Sequence, residues 1–503
     1  MEASTEAPIE IKTRTCCSKL QSVIRIITIE PPLLILLFAF SLGQLPDNSI
    51  IVSKVCDSLY GNDKNVDCHS LTSFPTADDA VQKVTSYWSL GTVGASTAAA
   101  IPSVLLWSAW ADRTGDRVIV ILLPIIGVSI NIYFYAITST FQGFPLWVLV
   151  FVHLVNGCLG SVALLMNSVS AYINEIMLNT GMSIERREKF LPIRLAAVMV
   201  IFFAASVFAG LTDGAITKVL SIPEIKCISL ALIFISMVWI AFLIPRPRKC
   251  VSTTLKQNNV EDSTIPTGNG SFPDASDIET KQHSSVWRTV IELLKACYRT
   301  YTRHRPDNKR TYLLLFLVVI FFANLADDGT RGSQYLFVSR HPINMTLSEY
   351  STYSGAGSGI NMVGTAVSII GMKLLGSRDT TIVLISLISN IAQMFVFGAS
   401  TTMTMVWISS VVGILANVSL IVCAAILLNF AESEERGTII AGNGVMQSLA
   451  AFLSTAMFSG LYGATVSWFP GFSWILAGCL ICISLVIMIF LHFKLITLEK
   501  STL

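Results

Sequence analysis

The chain has 503 residues, of which 53% are hydrophobic and 13% charged, with a formal net charge of +2. Soluble domains carry about 25% charged residues, so an ordinary water-soluble fold is excluded. The mean hydropathy of +0.65 agrees, and a charge so near neutral gives no case for nucleic-acid binding.

Residues 1–28 read as a polar tail in which Lys12, Arg14, Lys19 and Arg25 precede any apolar core. No cleavable signal peptide is expected, and the first crossing helix serves as the insertion signal. Six apolar runs follow, at 31–52, 86–110, 118–138, 146–172, 190–211 and 227–244; six more occupy 311–330, 351–375, 380–400, 404–430, 438–462 and 471–493. A bilayer needs about 20 apolar residues per crossing helix. Lipid admits only helices or closed barrels, and these runs are continuous where barrel strands alternate. The expected architecture is an all-α integral membrane protein with twelve transmembrane helices. Two six-helix bundles, 29–245 and 310–494, flank a polar connector at 246–309, and a short tail closes the chain at 495–503.

Lys and Arg set the orientation. Arg113, Arg117, Arg186, Arg187, Lys189, the connector, Lys373, Arg378, Arg436 and Lys494 fall on one side; Lys54, Lys64, Lys83, Lys218, Lys226, Arg331 and Arg340 fall on the other. Both termini and the connector are therefore expected in the cytosol. Cys56 and Cys68 then lie in the first outside loop, either paired in that oxidising compartment or as two free thiols. Asn344-Met345-Thr346 lies outside as a glycosylation acceptor or an unmodified loop. Within the connector, Val286, Trp287, Val290, Leu293, Leu294 and Cys297 recur at helical spacing. That pattern suits an amphipathic helix at about 286–301, lying on the inner membrane face or packed against the bundle.

Ionisable groups at membrane depth are functional candidates because a charge is costly there. Asp327, His153, Asp328 and Asp47 are the proton-coupling candidates; interfacial pairing, or a packing role for the histidine, is the alternative. Adjacent helical residues point about 100° apart, so at most one of Asp327 and Asp328 faces a cavity squarely. Arg194, Asn443, Gln447 and Asn361 are the substrate-binding candidates, with cross-helix bonding as the competing role for the amides. Asp112, Arg113, Gly115 and Arg117 form a short charged turn that either latches helices together or is simply solvated. No P-loop, metal-ligating cluster or nucleophile motif occurs, so neither an enzyme nor a cofactor is expected.

Placed after the second of twelve runs, Asp112-Arg113-Thr114-Gly115-Asp116-Arg117 resembles the signature loop of the major facilitator superfamily, with Ser108 where a glycine is usual and Asp116 where a basic residue is common. Glu30-Pro31, Tyr87-Trp88-Ser89-Leu90, Tyr353-Ser354-Gly355-Ala356-Gly357-Ser358, Ser389-Asn390-Ile391-Ala392, Ser459 to Thr465 and Phe469-Pro470-Gly471-Phe472 together resemble solute carrier family 46, the proton-coupled folate transporter family and its relatives. The resemblance implies a secondary transporter working by alternating access, with proton-coupled symport of a small polar or anionic organic solute towards the cytosol. A proton-independent facilitator or exchanger, or a non-transporting sensor or scaffold, is the alternative. The family's span-five coupling carboxylate aligns near Ala196, no acid occurs from 190 to 211, and Arg194 enters instead, which lowers folate among the compatible solutes. Cyclic dinucleotides and muropeptides are the others. The expected partners are that solute, protons and the bilayer, and the lack of an acidic dileucine signal favours the plasma membrane over lysosomes.

Overall fold

The computed structural model describes residues 28–61, 66–141, 143–179, 184–246, 295, 299, 301–303, 308–374, 376–429 and 436–502. No strand occurs among the described residues. The first half runs α1 (Glu30–Gln44), α2 (Asp47–Tyr60), α3 (Pro75–Thr114), α4 (Arg117–Thr140), α5 (Trp147–Cys158), α6 (Ser161–Asn179), α7 (Ile184–Ile216) and α8 (Ile222–Phe242). The second runs α9 (Lys309–Arg331), α10 (Gln334–Ser339), α11 (Leu347–Leu374), α12 (Asp379–Gly398), α13 (Met403–Val412), α14 (Val418–Asn429), α15 (Arg436–Thr465) and α16 (Phe472–Thr502). Ten segments among the described residues are long and apolar enough to cross a membrane. The eighth expected run lies on α11, whose 28 residues reach about 42 Å but are diluted by Ser354, Ser358 and Asn361. The tenth is divided between α13 and α14.

Three expected runs are not continuous. The first stops at Gln44 and restarts at Asp47, because Pro46 has no N–H to continue the ladder. The fourth breaks at Leu159-Gly160, and its fourth-place counterpart in the other half, the tenth, breaks after Val412. Backbone groups freed at a break need partners in lipid. Trp107 Nε1 donates to the Cys158 carbonyl at 3.0 Å. Across the molecule, Ser389 Oγ donates to the Val412 carbonyl at 2.6 Å and Ser386 Oγ to that of Leu415 at 2.7 Å. The breaks of the fourth and tenth runs also lie against the second long helix of their half. A Cβ on Gly157 would sit 2.2 Å from the Ser96 carbonyl, and one on Gly364 2.2 Å from that of Ile414.

A disulfide joins Cys56 and Cys68 beside the α2–α3 turn, and the two halves meet tightly at this end. One seam joins α7 to α11: Gly210 and Gly355 approach so closely that a Cβ on Gly210 would lie 2.5 Å from the Gly355 Cα. Ser348 Oγ donates to the Gly214 carbonyl at 2.6 Å, and Ser351 Oγ to Asp213 Oδ2 at 2.5 Å. The other seam joins α3 to α15, where the buried Tyr462 hydroxyl donates to Gln82 Oε1 at 2.7 Å. Arg340 pairs with Asp79, and Asn48 Nδ2 reaches the Gly332 carbonyl at 3.4 Å, so the break in the first run touches the end of α9.

At the opposite end, Gly115 adopts φ +76° to stop α3, the left-handed conformation that glycine takes without strain. Arg117 pairs with Glu175 of α6 at 3.1 Å, inside its own half, while the side chains of Asp112 and Arg113 lie outside the described residues. Most of the expected amphipathic segment at 286–301 also lies outside them. Its last residue, Tyr301, donates to the Ile439 carbonyl at 3.0 Å, so this part of the connector packs on α15. The exposed Asn344 follows α10.

Candidate functional site

The second half contains a cavity of about 330 Å³ closed on one side by Phe202, Phe203 and Ser206 of α7. Asp327, Thr330 and Arg331 of α9 line it, with Gln334 just beyond. Further polar groups come from α11 (Tyr353, Ser354, Ser358, Asn361), from Gln393, from Ser410, and from Asn417 at the break of the tenth run. Phe397 and Trp474, with ring centroids 5.1 Å apart, form an apolar wall. An amphipathic cavity beside an interrupted helix, where the two halves meet, has features expected of a transporter's solute site.

Two expected site residues, Asp327 and Asn361, meet in this cavity. Asp327 is half-buried and its Oδ1 accepts from Asn390 Nδ2 at 3.2 Å. Arg331, one turn further along α9, lines the same cavity and adds a cation to it. The buried Asn361 Oδ1 has no partner. Asp328 is half-buried but is not among the cavity-lining residues; Asn443 and Gln447 on α15 also lie away from them.

Arg194 and Asp47 lie away from the cavity as well, because each is engaged inside the first half. Arg194 Nε and Nη2 bond Glu30 Oε1 at 2.9 and 2.5 Å, and the arginine is buried. Asp47 pairs with Lys226, whose ammonium also reaches the Gly43 carbonyl. Lys226 was expected in an outside link, yet it is fully buried. The Pro46 break leaves a carbonyl and a carboxylate side by side in the bundle, and a cation drawn from α8 satisfies both. Its ammonium lies 5.0 Å from the Tyr135 ring centroid, and the Tyr135 hydroxyl is 3.1 Å from His153 Nε2. Asn131 Nδ2 lies 3.4 Å from His153 Nδ1. A neutral imidazole with its hydrogen on Nε2 satisfies both contacts, so His153 sits in a buried polar cluster away from the cavity.

The sequence places Arg331 among the outside basic residues, not in a binding site, and nothing in it singles out Gln334. The available signal was the four-residue spacing of Asp327 and Arg331, which puts opposite charges on one helical face. Nothing in the sequence marked Phe202 and Phe203, which differ in no local way from lipid-facing aromatics.

A family model described as Major Facilitator Superfamily matches residues 72–455. The Gallus gallus protein named "Lysosomal proton-coupled steroid conjugate and bile acid symporter SLC46A3" is 24% identical over 473 residues, covering 92% of this chain and 93% of its own. The Rattus norvegicus "Proton-coupled folate transporter" is 23% identical over 409 residues, covering 80% of this chain and 78% of its own. Among solved structures, the human organic anion transporter MFSD10 (TETRAN) superposes with a TM-score of 0.56 at 12% identity, over 92% of this chain and 98% of its own. The D-xylose-proton symporter does so with a TM-score of 0.56 at 12% identity, over 91% and 96%.

Proposed function

The chain belongs to the Major Facilitator Superfamily and its curated relatives are members of solute carrier family 46, and from that premise we propose that it is a symporter carrying an organic anion together with protons towards the cytosol. The observation that carries this reading is the cavity in which the Asp327 carboxyl, bonded to Asn390, shares space with the Arg331 guanidinium and an aromatic wall. An aromatic wall suits a flat or apolar solute body, and a guanidinium suits a carboxylate, sulfate or phosphate on it. Asp327 is assigned the proton ahead of His153, whose two ring nitrogens are both engaged away from the cavity.

The bundles at 29–245 and 310–494 are read as twelve crossings with both tails and the connector in the cytosol, supported by the basic residues clustered at the connector end. On that reading the Cys56–Cys68 end faces outside and its sealed seams make this an inward-facing state. Uptake into intact cells tests the function, with a steroid sulfate, a bile acid, a folate, a cyclic dinucleotide and a muropeptide compared at acid and neutral outside pH. Faster uptake of at least one anion at acid pH is expected. Equal rates at both pH values for a transported solute would refute coupling and leave a facilitator or exchanger.

Arg331→Ala is expected to raise the KM for the transported anion. A charge-assisted hydrogen bond contributes about 1.5–3 kcal/mol, which is roughly a 10–150-fold change. Unchanged KM would remove Arg331 from anion recognition. Asn344→Gln is expected to abolish a glycosidase-sensitive mobility shift on gels, since Asn344 and Thr346 are both exposed at the disulfide end. A shift that survives the substitution assigns the glycan elsewhere. The plasma membrane is the location proposed from the sequence; the chicken relative is named as lysosomal, so imaging of the tagged protein against both membranes distinguishes the two.

A further inference from the structure

The α7–α11 seam contains a carboxylate that packing alone does not explain. Asp213 is fully buried where the halves meet, although it ends a membrane-crossing helix next to the disulfide-end surface. Its Oδ2 accepts from Ser351 Oγ of the other half at 2.5 Å, and its Oδ1 has no partner. The charge facing it is Lys226 of α8, and that ammonium is already bonded to Asp47 and the Gly43 carbonyl. The described glutamates on neighbouring elements are occupied as well. Glu349 of α11 accepts from Thr346, Glu224 of α8 accepts from Ser221, and Glu30 and Glu175 are paired with Arg194 and Arg117 towards the connector end. The second seam differs. Asp78 also has an oxygen without a partner, but Gln82 of its own helix donates to it and the Arg340 charge faces it.

We propose that Asp213 is the proton-sensing residue of the disulfide-end seam, which seals with the Asp213 carboxyl neutral and opens with it ionised and hydrated. The reason is a difference between two states of one group. In the sealed seam an ionised Asp213 has one side-chain donor for two oxygens and no surface exposed to solvent, a costly arrangement for a buried charge. Separation of Gly210 from Gly355 would admit water to both oxygens and remove that cost. Proton binding at Oδ1 therefore favours the sealed form by as much as the two forms differ in proton affinity. Such a group makes outside acid drive the inward-facing state, which proton symport towards the cytosol requires. Asp327 is bonded within its own half, so parting of the halves leaves that bond intact. This role rests on the orientation proposed above and not on the identity of the solute.

The test is reagent access from outside in intact cells. A Ser354→Cys reporter lines the cavity and is reached by a membrane-impermeant thiol reagent from outside only when the seam parts; labelling of the parent chain is subtracted. Outside acid is expected to slow labelling by at least about fivefold relative to mildly alkaline medium. With Asp213→Asn, an isosteric neutral side chain, labelling is expected to be slow and independent of pH. Ser351→Ala removes the hydroxyl that donates to the ionised form, so the midpoint of the pH response is expected to move to higher pH; this variant carries the test if Asp213→Asn does not reach the surface. Labelling that ignores pH in the parent reporter, that keeps its pH response in Asp213→Asn, or that keeps its midpoint in Ser351→Ala would overturn the proposal. Solute uptake measured in the same cells separates the two ideas. A pH-responsive seam without proton-stimulated uptake would sink the symport reading and leave Asp213 in its role, and the reverse result would do the opposite.

Discussion

Asp327→Asn is expected to eliminate the stimulation of uptake by outside acid. A coupling free energy of about 1–3 kcal/mol corresponds to a loss of roughly 5–150-fold in acid-stimulated rate. The substitution keeps the shape of the side chain and its contact with Asn390 Nδ2, which lies 3.2 Å from Oδ1, but removes the ability to gain and lose a proton. Asn390 is fully buried on α12, so the partner stays in place and local folding is preserved. The measurement is the ratio of initial uptake at acid and neutral outside pH, normalised to protein at the membrane. Asp328→Asn serves as the comparison: its neighbour points about 100° away on the same helix, and its ratio is expected to stay close to that of the parent. A parent-like ratio in Asp327→Asn would move the coupling proton to another group.

The second large effect is on stability. Lys226→Met is expected to destabilise the folded protein by about 3–5 kcal/mol, because it leaves Asp47 as an uncompensated carboxylate in the bundle. Lys226 has no exposed surface, and the Asp47 side chain is 18% exposed. The same lysine also bonds the Gly43 carbonyl freed by the Pro46 break, so its loss removes the partners of two groups at once. Thermal unfolding of the purified protein in detergent reads the effect as a lowered midpoint. Asp47→Asn combined with Lys226→Met is expected to recover a substantial part of the loss, since an amide left alone costs far less than a charge. A double variant no more stable than Lys226→Met would mean that the ion pair is not what holds the break together, and that Lys226 acts through the carbonyl or through packing against Tyr135.

The breaks show where reading the sequence stopped. Gly157, Gly160 and Gly413 are visible in the runs they interrupt, but a glycine in an apolar run serves equally well for close helix packing. Whether the ladder continues depends on whether another helix supplies donors for the freed carbonyls. At the tenth run Ser386 and Ser389 of α12 supply them, and at the fourth Trp107 does. The same holds for Arg194. A cation entering the fifth run is a reasonable anion site until Glu30, 164 positions away in the chain, is found bonded to it.

What the sequence determined by itself is the helical membrane architecture, the two halves, and most of the ionisable residues available at depth, Lys226 excepted. Those follow from local requirements, because a chain in lipid must satisfy its backbone within each run and each apolar stretch must match the bilayer. What only the tertiary structure decided is which of those residues meet. Lys226 joins Asp47 across 179 positions, Asp213 reaches Ser351 across 138, and Tyr462 reaches Gln82 across 380. Helical periodicity carries no record of such pairings. They are set by how the helices cross, and that is settled by packing summed over both halves.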